Sequence, residues 1–452
     1  MLTFKRLLLY KGHYFFLAML LVVEFALCLI IPPLQSPDEL DHVKRAYLWG
    51  QGQVLLSGPA GVSSGGRVDT GLIEYMIIYA ALPFHKDVKL TPAMKLRADR
   101  VMWSHQKVFD SAAGTVAYFP VIYTPQAVAL KVGEWLGLSI DTSYRGARYL
   151  SLLVSMLILM WAFSMYSPSY LAMACMLLPM QLFQLAATSI DGLSMALGIF
   201  VVSVFMRIAS NCGAGSSRDP YLLILGCSIL ITSRPYLLPL LGLSWIALSM
   251  RPRKALALAV SCQAAFVIGW FMLVLFNTVD TRVSTGLATM DKVSYYLSHP
   301  GVFVGVIGTT LTDTSLLRFY GSSFLGVLGW LDTYLRDVVY TVLGLFLTLI
   351  AVLNIGTLSG DGQARWPLLI AALCSVVLIF VLLLLTWTAL PAVTVDGVQG
   401  RYLLIPLILI AYALKGVGAE FQSQRIWLNT ALLASLGCYS ACVTIDAVLD
   451  RY

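Results

Sequence analysis

The stretch Ser36-Pro37-Asp38-Glu39-Leu40-Asp41-His42 places three carboxylates and an imidazole directly after an apolar run from about Tyr14 to Pro33. Ionisable groups at the end of such a run are costly unless paired or wet, so they mark candidate chemistry. Locally, Ser36 reads as an N-cap, Pro37 as the first helical residue and Glu39 as the carboxylate that completes a capping box. A short helix is expected to begin there. On it Asp38 and His42 lie four apart, as do Asp41 and Arg45, so acids and partners share a face. The cap accounts for Glu39 but does not need Asp38. Asp38 is therefore the candidate general base, with Glu39 as the second catalytic candidate.

Arg234, in Thr232-Ser-Arg-Pro-Tyr236, sits between two apolar runs, and Arg401, in Gly397-Val-Gln-Gly-Arg-Tyr402, begins one. A guanidinium is a planar fork that binds phosphate oxygens in pairs, which makes both candidates for holding a phosphate. Arg145 and Arg148, three apart on one helical face, are further candidates. For substrate contact the sequence offers His42, Tyr118 and Tyr123 of a Tyr-Phe-Pro-Val-Ile-Tyr-Thr-Pro stretch, Asp191 at the start of an apolar run, Trp330 and Asp332 after a Gly-rich run, and Tyr402. Asp38, Glu39, Asp41 and His42 could together bind a divalent metal, but no second ligand cluster supports one, and no cofactor is expected.

The elements that must position these residues follow from composition. With 59% hydrophobic and only 12% charged residues, against roughly a quarter charged in soluble domains, the chain reads as an all-α polytopic membrane protein. Lys5, Arg6 and Lys11 precede the first apolar run, which is long enough to span and has no small-residue cleavage site after it. It reads as a retained span. The eight cysteines fall in or near apolar runs, so neither a disulfide framework nor a Cys-based zinc site is implied. The net charge of +7 is located by topology and does not point to nucleic acid.

Runs near 14–33, 148–166, 169–187, 190–209, 220–233, 236–250, 255–276, 338–358, 366–389, 401–417 and 426–446 give about eleven expected spans. The apolar stretch 118–137, broken by Pro120, Pro125 and Lys131, reads as interfacial or re-entrant. With the N-terminus cytoplasmic, Lys and Arg concentrate in the short inner connections, as the positive-inside bias requires. Two long outer segments remain, 34–147 and 277–337, read as short helices lying over the outer face of a single domain. Every motif named above then falls on that outer face. Arginines that merely anchor helix ends belong on the cytoplasmic side, and Arg234 and Arg401 are on the other.

A long first span followed by an acidic Pro-Asp-Glu motif resembles the membrane glycosyltransferases of the GT-C fold, in which that loop's carboxylate is the base. More closely, Pro37-Asp-Glu-Leu-Asp-His42 with Arg45-Ala-Tyr47, the Tyr-Pro stretch 118–125, Gly146-Ala-Arg148, Asp191, Ser322-Ser-Phe-Leu-Gly-Val-Leu-Gly-Trp-Leu-Asp332 and Val398-Gln-Gly-Arg-Tyr402 are similar to the bacterial DUF2142 family of multi-span proteins. The likeness departs at Leu40, where a proline is expected. What the resemblance implies is an inverting glycosyltransferase of the bacterial inner membrane, working on its periplasmic face. Its donor would be a sugar on polyprenyl phosphate and its acceptor O-antigen or another envelope glycan, with membrane lipids around it. The rival readings are a flippase or transporter of lipid-linked sugars, and a polymerase or ligase of lipid-linked glycans.

Overall fold

The structure, a computed structural model, describes residues 2–210, 216–283, 285–354, 362–415 and 423–452. Three of the expected inner connections, around 211–215, 355–361 and 416–422, thus lie partly outside the described residues. The chain opens with α1 (Leu2–Ile30) and then builds a cap from α2 (Glu39–Gly50), β1 (Gly65–Asp69), α3 (Thr70–Tyr79), α4 (Pro92–Asp99), β2 (Lys107–Ser111) and α5 (Thr124–Trp135). The bundle continues through α6 (Ile140–Met165), α7 (Tyr170–Met176), α8 (Pro179–Leu185), α9 (Asp191–Ala209), α10 (Asp219–Ser233), α11 (Leu241–Met250) and α12 (Lys254–Asn277). After α13 (Thr289–Ser298), α14 (Pro300–Thr312) and α15 (Thr314–Gly326) come a two-residue ladder of β3 (Val327–Leu328) with β4 (Thr333–Tyr334), then α16 (Asp337–Asn354), α17 (Gly362–Thr386), α18 (Leu404–Ala413) and α19 (Ser423–Arg451).

The protein is a helical, multi-pass membrane protein, as its composition predicts, although fewer single helices than the roughly eleven expected spans are long enough to cross alone. Among the described residues, seven helices are long and apolar enough to cross a membrane: α1, α6, α9, α12, α16, α17 and α19. The number is eight if α14 and α15, bent by 64° against each other, count as one. That pair lies inside 277–337, a segment whose sequence reads as interfacial. The missing spans are shorter for identifiable reasons. Pro179 opens a new helix within 169–187, and Pro235 and Pro239 turn the start of 236–250 into a 3-10 stretch. With 15 residues, α10 reaches roughly 22 Å at about 1.5 Å per residue, short of a hydrocarbon core of about 30 Å.

These short helices still join the same two ends of the bundle. At one end Arg207, in the last turn of α9, pairs at 3.2 Å with Asp219, in the first turn of α10, and Lys415 donates to the Ser167 carbonyl at 2.9 Å. At the other end α10 delivers Arg234, and Arg451 of α19 pairs with Asp332 at 3.3 Å. A large apolar core including Leu20, Leu159, Phe183, Phe205 and Ile408 fills the bundle. Outward-facing Leu258, Phe276, Leu345 and Leu373 are exposed, as lipid-facing residues must be.

The cap has its own core, with Tyr47, Leu48, Val68, Leu72, Tyr75 and Tyr144 packed together and continuous with Ile190 and Leu193 at the head of α9. The first outer segment is not built of short helices alone, for α4 ends at Asp99. Residues 107–111 instead pair antiparallel with 65–69, from Gly65 opposite Ser111 to Asp69 opposite Lys107. Gly65 is required there: a Cβ would stand 2.0 Å from the Asp110 carbonyl oxygen. Across the cap, Val279 and Thr281 are stitched to Ser64 and Ser63 by hydrogen bonds of 2.8–3.0 Å, which fixes the start of the second long segment beside the first.

Candidate functional site

The acidic motif does not form the expected cap. Helix α2 starts at Glu39, two residues later than its sequence predicts, because Ser36 Oγ donates to Gln184 Oε1 (2.9 Å) instead of capping. Only half of the capping box is present: Glu39 Oε2 accepts from the Ser36 N–H at 2.9 Å. Asp38 occupies the N-cap position in a left-handed conformation, φ 59° and ψ 10°, and its side chain makes no cap hydrogen bond. Asp tolerates that region better than most residues, yet the conformation is uncommon outside Gly. Its effect is to turn the carboxylate away from the helix end it would otherwise satisfy.

Glu39 is fully buried. Its Oε1 accepts from the Thr188 N–H (2.7 Å), Thr188 Oγ1 (2.5 Å) and the Tyr144 hydroxyl (2.7 Å). Tyr144 also accepts from Arg148 (2.8 Å) and from the Leu34 N–H (3.0 Å). Arg148 donates to the carbonyls of Cys28, Ile31 and Pro32 at 2.8–3.2 Å, closing the C-terminal end of α1. Glu39 and Arg148 therefore belong to a buried brace that ties α1, α2, α6 and the 188 turn together and sets where Asp38 points. Arg145 is paired with Asp141 at 2.5 Å, which also accepts from Tyr75. Trp330 donates to the Leu34 carbonyl (3.0 Å), and Asp332 accepts from the Phe84 N–H (2.8 Å) and Arg451. These five residues, named as candidates from sequence, hold the frame and are not at the point of convergence.

The others converge. Asp38 Oδ2 accepts from Arg401 Nη2 at 3.0 Å, Arg401 Nη1 donates to Asp191 Oδ2 at 3.2 Å, and Asp191 Oδ1 pairs with Arg234. The result is an alternating chain, Asp38, Arg401, Asp191, Arg234, running inward from the surface. The side chains of both arginines are 4% exposed, Asp191 14% and Asp38 35%. Arg401 Nε also donates to Gln399 Oε1 at 2.6 Å, so all three of its nitrogens are engaged. Arg234 lies over the Tyr118 ring and Arg401 over the Tyr402 ring. Tyr118 stacks on His42, whose Nδ1 is 2.7 Å from the Tyr123 hydroxyl. Burial lowers the His42 pKa to about 4, with Asp191 opposing the shift and Arg234 reinforcing it, so the ring is neutral at ordinary pH. A cavity of about 10 Å³ beneath the chain is lined by Gln181, Gln184, Asp191, Arg234, Tyr236 and Arg401.

Sequence reasoning missed Arg282. Its guanidinium is bidentate to Asp280 (2.7–3.2 Å), lies over the Trp387 ring, and presents Nη1 3.9 Å from Asp38 Oδ1 and 3.6 Å from Asp41 Oδ2. Only the Asp280-Thr-Arg282 spacing is local; Asp38 and Arg401, too, are 363 positions apart. The expected Asp41–Arg45 pair is replaced: Asp41 pairs with Lys44 at 3.1 Å, and Arg45 donates to the carbonyls of Val54 and Tyr118. Gly114 floors the gap. A Cβ there would come within 2.9 Å of Asp41 Oδ2, 3.1 Å of Arg282 Nη1 and 3.6 Å of Asp38 Oδ1. Asp38 Oδ1, on a side chain 35% exposed, thus has Arg282 Nη1 at 3.9 Å and, among the described residues, no hydrogen-bond donor. Among the described residues no three His, Cys, Asp or Glu side chains are grouped to hold a metal ion.

Fold and site together define a helical polytopic membrane protein with a braced, alternating ionic chain that opens at one end of its bundle through a single half-exposed carboxylate. The chain belongs to the DUF2142 family of predicted membrane proteins, whose pattern covers residues 20–411 and so every member of that ionic chain. No curated protein and no solved structure matches it.

Proposed function

We propose that this protein is a glycosyltransferase of GT-C type that moves a sugar from a polyprenyl-phosphate donor to an envelope glycan such as O-antigen. The observation that carries the reading is Asp38: a carboxylate turned out of its cap, held on one oxygen by buried Arg401 and accepting no hydrogen bond on the other, which Arg282 approaches only to 3.9 Å. In an inverting transfer Asp38 Oδ1 accepts the proton of the acceptor hydroxyl as that oxygen attacks the anomeric carbon. The bond from that carbon to the phosphate oxygen breaks, and the phosphate leaves with the electron pair. Arg401, backed by Asp191 and Arg234, is placed to take up the charge that develops on the leaving phosphate, trading its contact with Asp38 for one with the donor. The Lys/Arg asymmetry of the connections supports a bacterial inner-membrane protein with a cytoplasmic N-terminus and a periplasmic site.

The test is mass spectrometry of the envelope glycan in cells lacking the protein, complemented with the parent or with Asp38→Asn at matched membrane levels. Loss of one sugar residue, restored by the parent and not by Asp38→Asn, is the expected result. Positioned proton transfer is worth roughly 10²–10⁴-fold in rate, enough to leave the glycan unmodified. An unchanged glycan in the deletion strain refutes the transferase reading, and restoration by Asp38→Asn refutes the assigned base. A glycan of altered chain length with every sugar type retained points instead to a polymerase.

A further inference from the structure

The end of the bundle remote from Asp38 carries a second cavity. Helices α1, α7 and α19 enclose about 320 Å³ between Phe16, Met19, Met173, Leu433 and Ala434, with His13, Tyr170, Trp427 and Thr430 also lining it. Its place along the helices is fixed by the chain: it spans the first turns of the apolar part of α1, which begins at Gly12, and the first turns of α19. The lining is mostly apolar, and α1 and α19 beside it are long and apolar enough to span a bilayer. A space of that character is not stabilised by water, which needs two to four polar partners, and it faces lipid tails directly. Trp427 is 75% exposed, as suits an indole at the level where headgroups begin. The mouth is flanked by cations in sequence, with Lys11 directly before Gly12 and Arg425 two residues before Trp427.

We propose that this cavity is a binding site for one phospholipid with an anionic headgroup: an acyl chain fills the space between α1, α7 and α19, and the phosphodiester lies against Arg425. A basic residue beside a gap between spanning helices selects anionic headgroups over neutral ones by charge. The lipid would clasp the first helix to the last. Both lead from the cavity to the other end, α1 to the brace under Asp38 and α19 to the Arg451–Asp332 pair.

The probe is dioleoyl phosphatidylglycerol, added to delipidated protein in detergent, with dioleoyl phosphatidylcholine as the neutral control. Native mass spectrometry should retain one phosphatidylglycerol more strongly than phosphatidylcholine, and the thermal midpoint should rise with phosphatidylglycerol concentration as binding to the folded state requires. Ala434→Trp, which fills the cavity, should abolish the retained lipid while keeping the lipid-free midpoint. Arg425→Gln, a change in a partly exposed side chain, should leave both lipids retained equally. Equal retention of the two lipids by the parent overturns the proposal, as does phosphatidylglycerol binding that survives Ala434→Trp. If Ala434→Trp does not fold, Arg425→Gln decides: undiminished preference for phosphatidylglycerol sinks the headgroup assignment.

Discussion

Asp191 is the hinge of the ionic chain, and replacing it by Asn is the sharpest perturbation of the site. The side chain keeps its size and loses its charge. Arg401 then still has Asp38 at 3.0 Å and Gln399 at 2.6 Å. Arg234, 4% exposed, is left with Ser194 Oγ at 3.4 Å and the face of Tyr118, its guanidinium carbon 5.6 Å from the ring centroid. Removing one partner of a buried pair costs about 3–5 kcal/mol, because the remaining charge is uncompensated. A cation–π contact returns about 0.5–2 kcal/mol at most and is already present in the parent. We therefore expect Asp191→Asn to lose about 3–5 kcal/mol, nearly all of it through the orphaned Arg234. The diagnostic is the double variant Asp191→Asn/Arg234→Met, which removes the orphan and fills its volume. Its thermal midpoint in detergent, read by intrinsic fluorescence, should lie above that of Asp191→Asn alone. A double variant less stable than Asp191→Asn, or a single variant as stable as the parent, would show that the chain is not held electrostatically and refute the reasoning.

Glu39→Gln turns an amide N–H₂ toward donors it cannot satisfy, so we expect about 1–3 kcal/mol of destabilisation and a lower folded yield from a residue outside the chain of ion pairs. Normal stability of that variant in the same thermal assay would remove Glu39 from the brace. His42 gives a pH signature: its pKa falls from an ordinary 6.5 to about 4 on folding, so the unfolded chain binds more protons between those values and stability declines as pH drops through that window. At about 1.36 kcal/mol per unit the loss reaches roughly 3 kcal/mol near pH 4, and His42→Gln should flatten the midpoint-versus-pH curve between pH 6.5 and 4.5, whereas an unaltered slope would place the acid sensitivity elsewhere. For sidedness, single cysteines at the exposed positions Ala60 and Asp396 should react with a membrane-impermeant thiol reagent in spheroplasts and one at Ser216 should not; labelling of Ser216 alone inverts the orientation.

The sequence by itself determined the class of protein and much of the cast. Composition and run length demanded a helical membrane protein, and the alternation of Lys/Arg-rich connections with polar motifs already grouped Asp38, Asp191, Arg234 and Arg401, which the structure brings into one chain of ion pairs. Periodicity and charge are local, so they survive being read from a string. What each carboxylate does depends on partners that no local pattern encodes. Glu39 and Asp38 are adjacent, yet one is buried under Thr188 and Tyr144 and the other is 35% exposed, because the backbone at Asp38 turns left-handed and Ser36 is drawn off to Gln184. Arg148 looks like a phosphate ligand until the end of α1 arrives beneath it, and Arg282 looks like nothing until Asp280 and Trp387 fix its fork toward Asp38. Span lengths were lost for the same reason. A run of apolar residues shows that a segment prefers hydrocarbon, but only packing around Pro179, Pro235 and Pro239 decides whether it crosses as one helix or as two short ones.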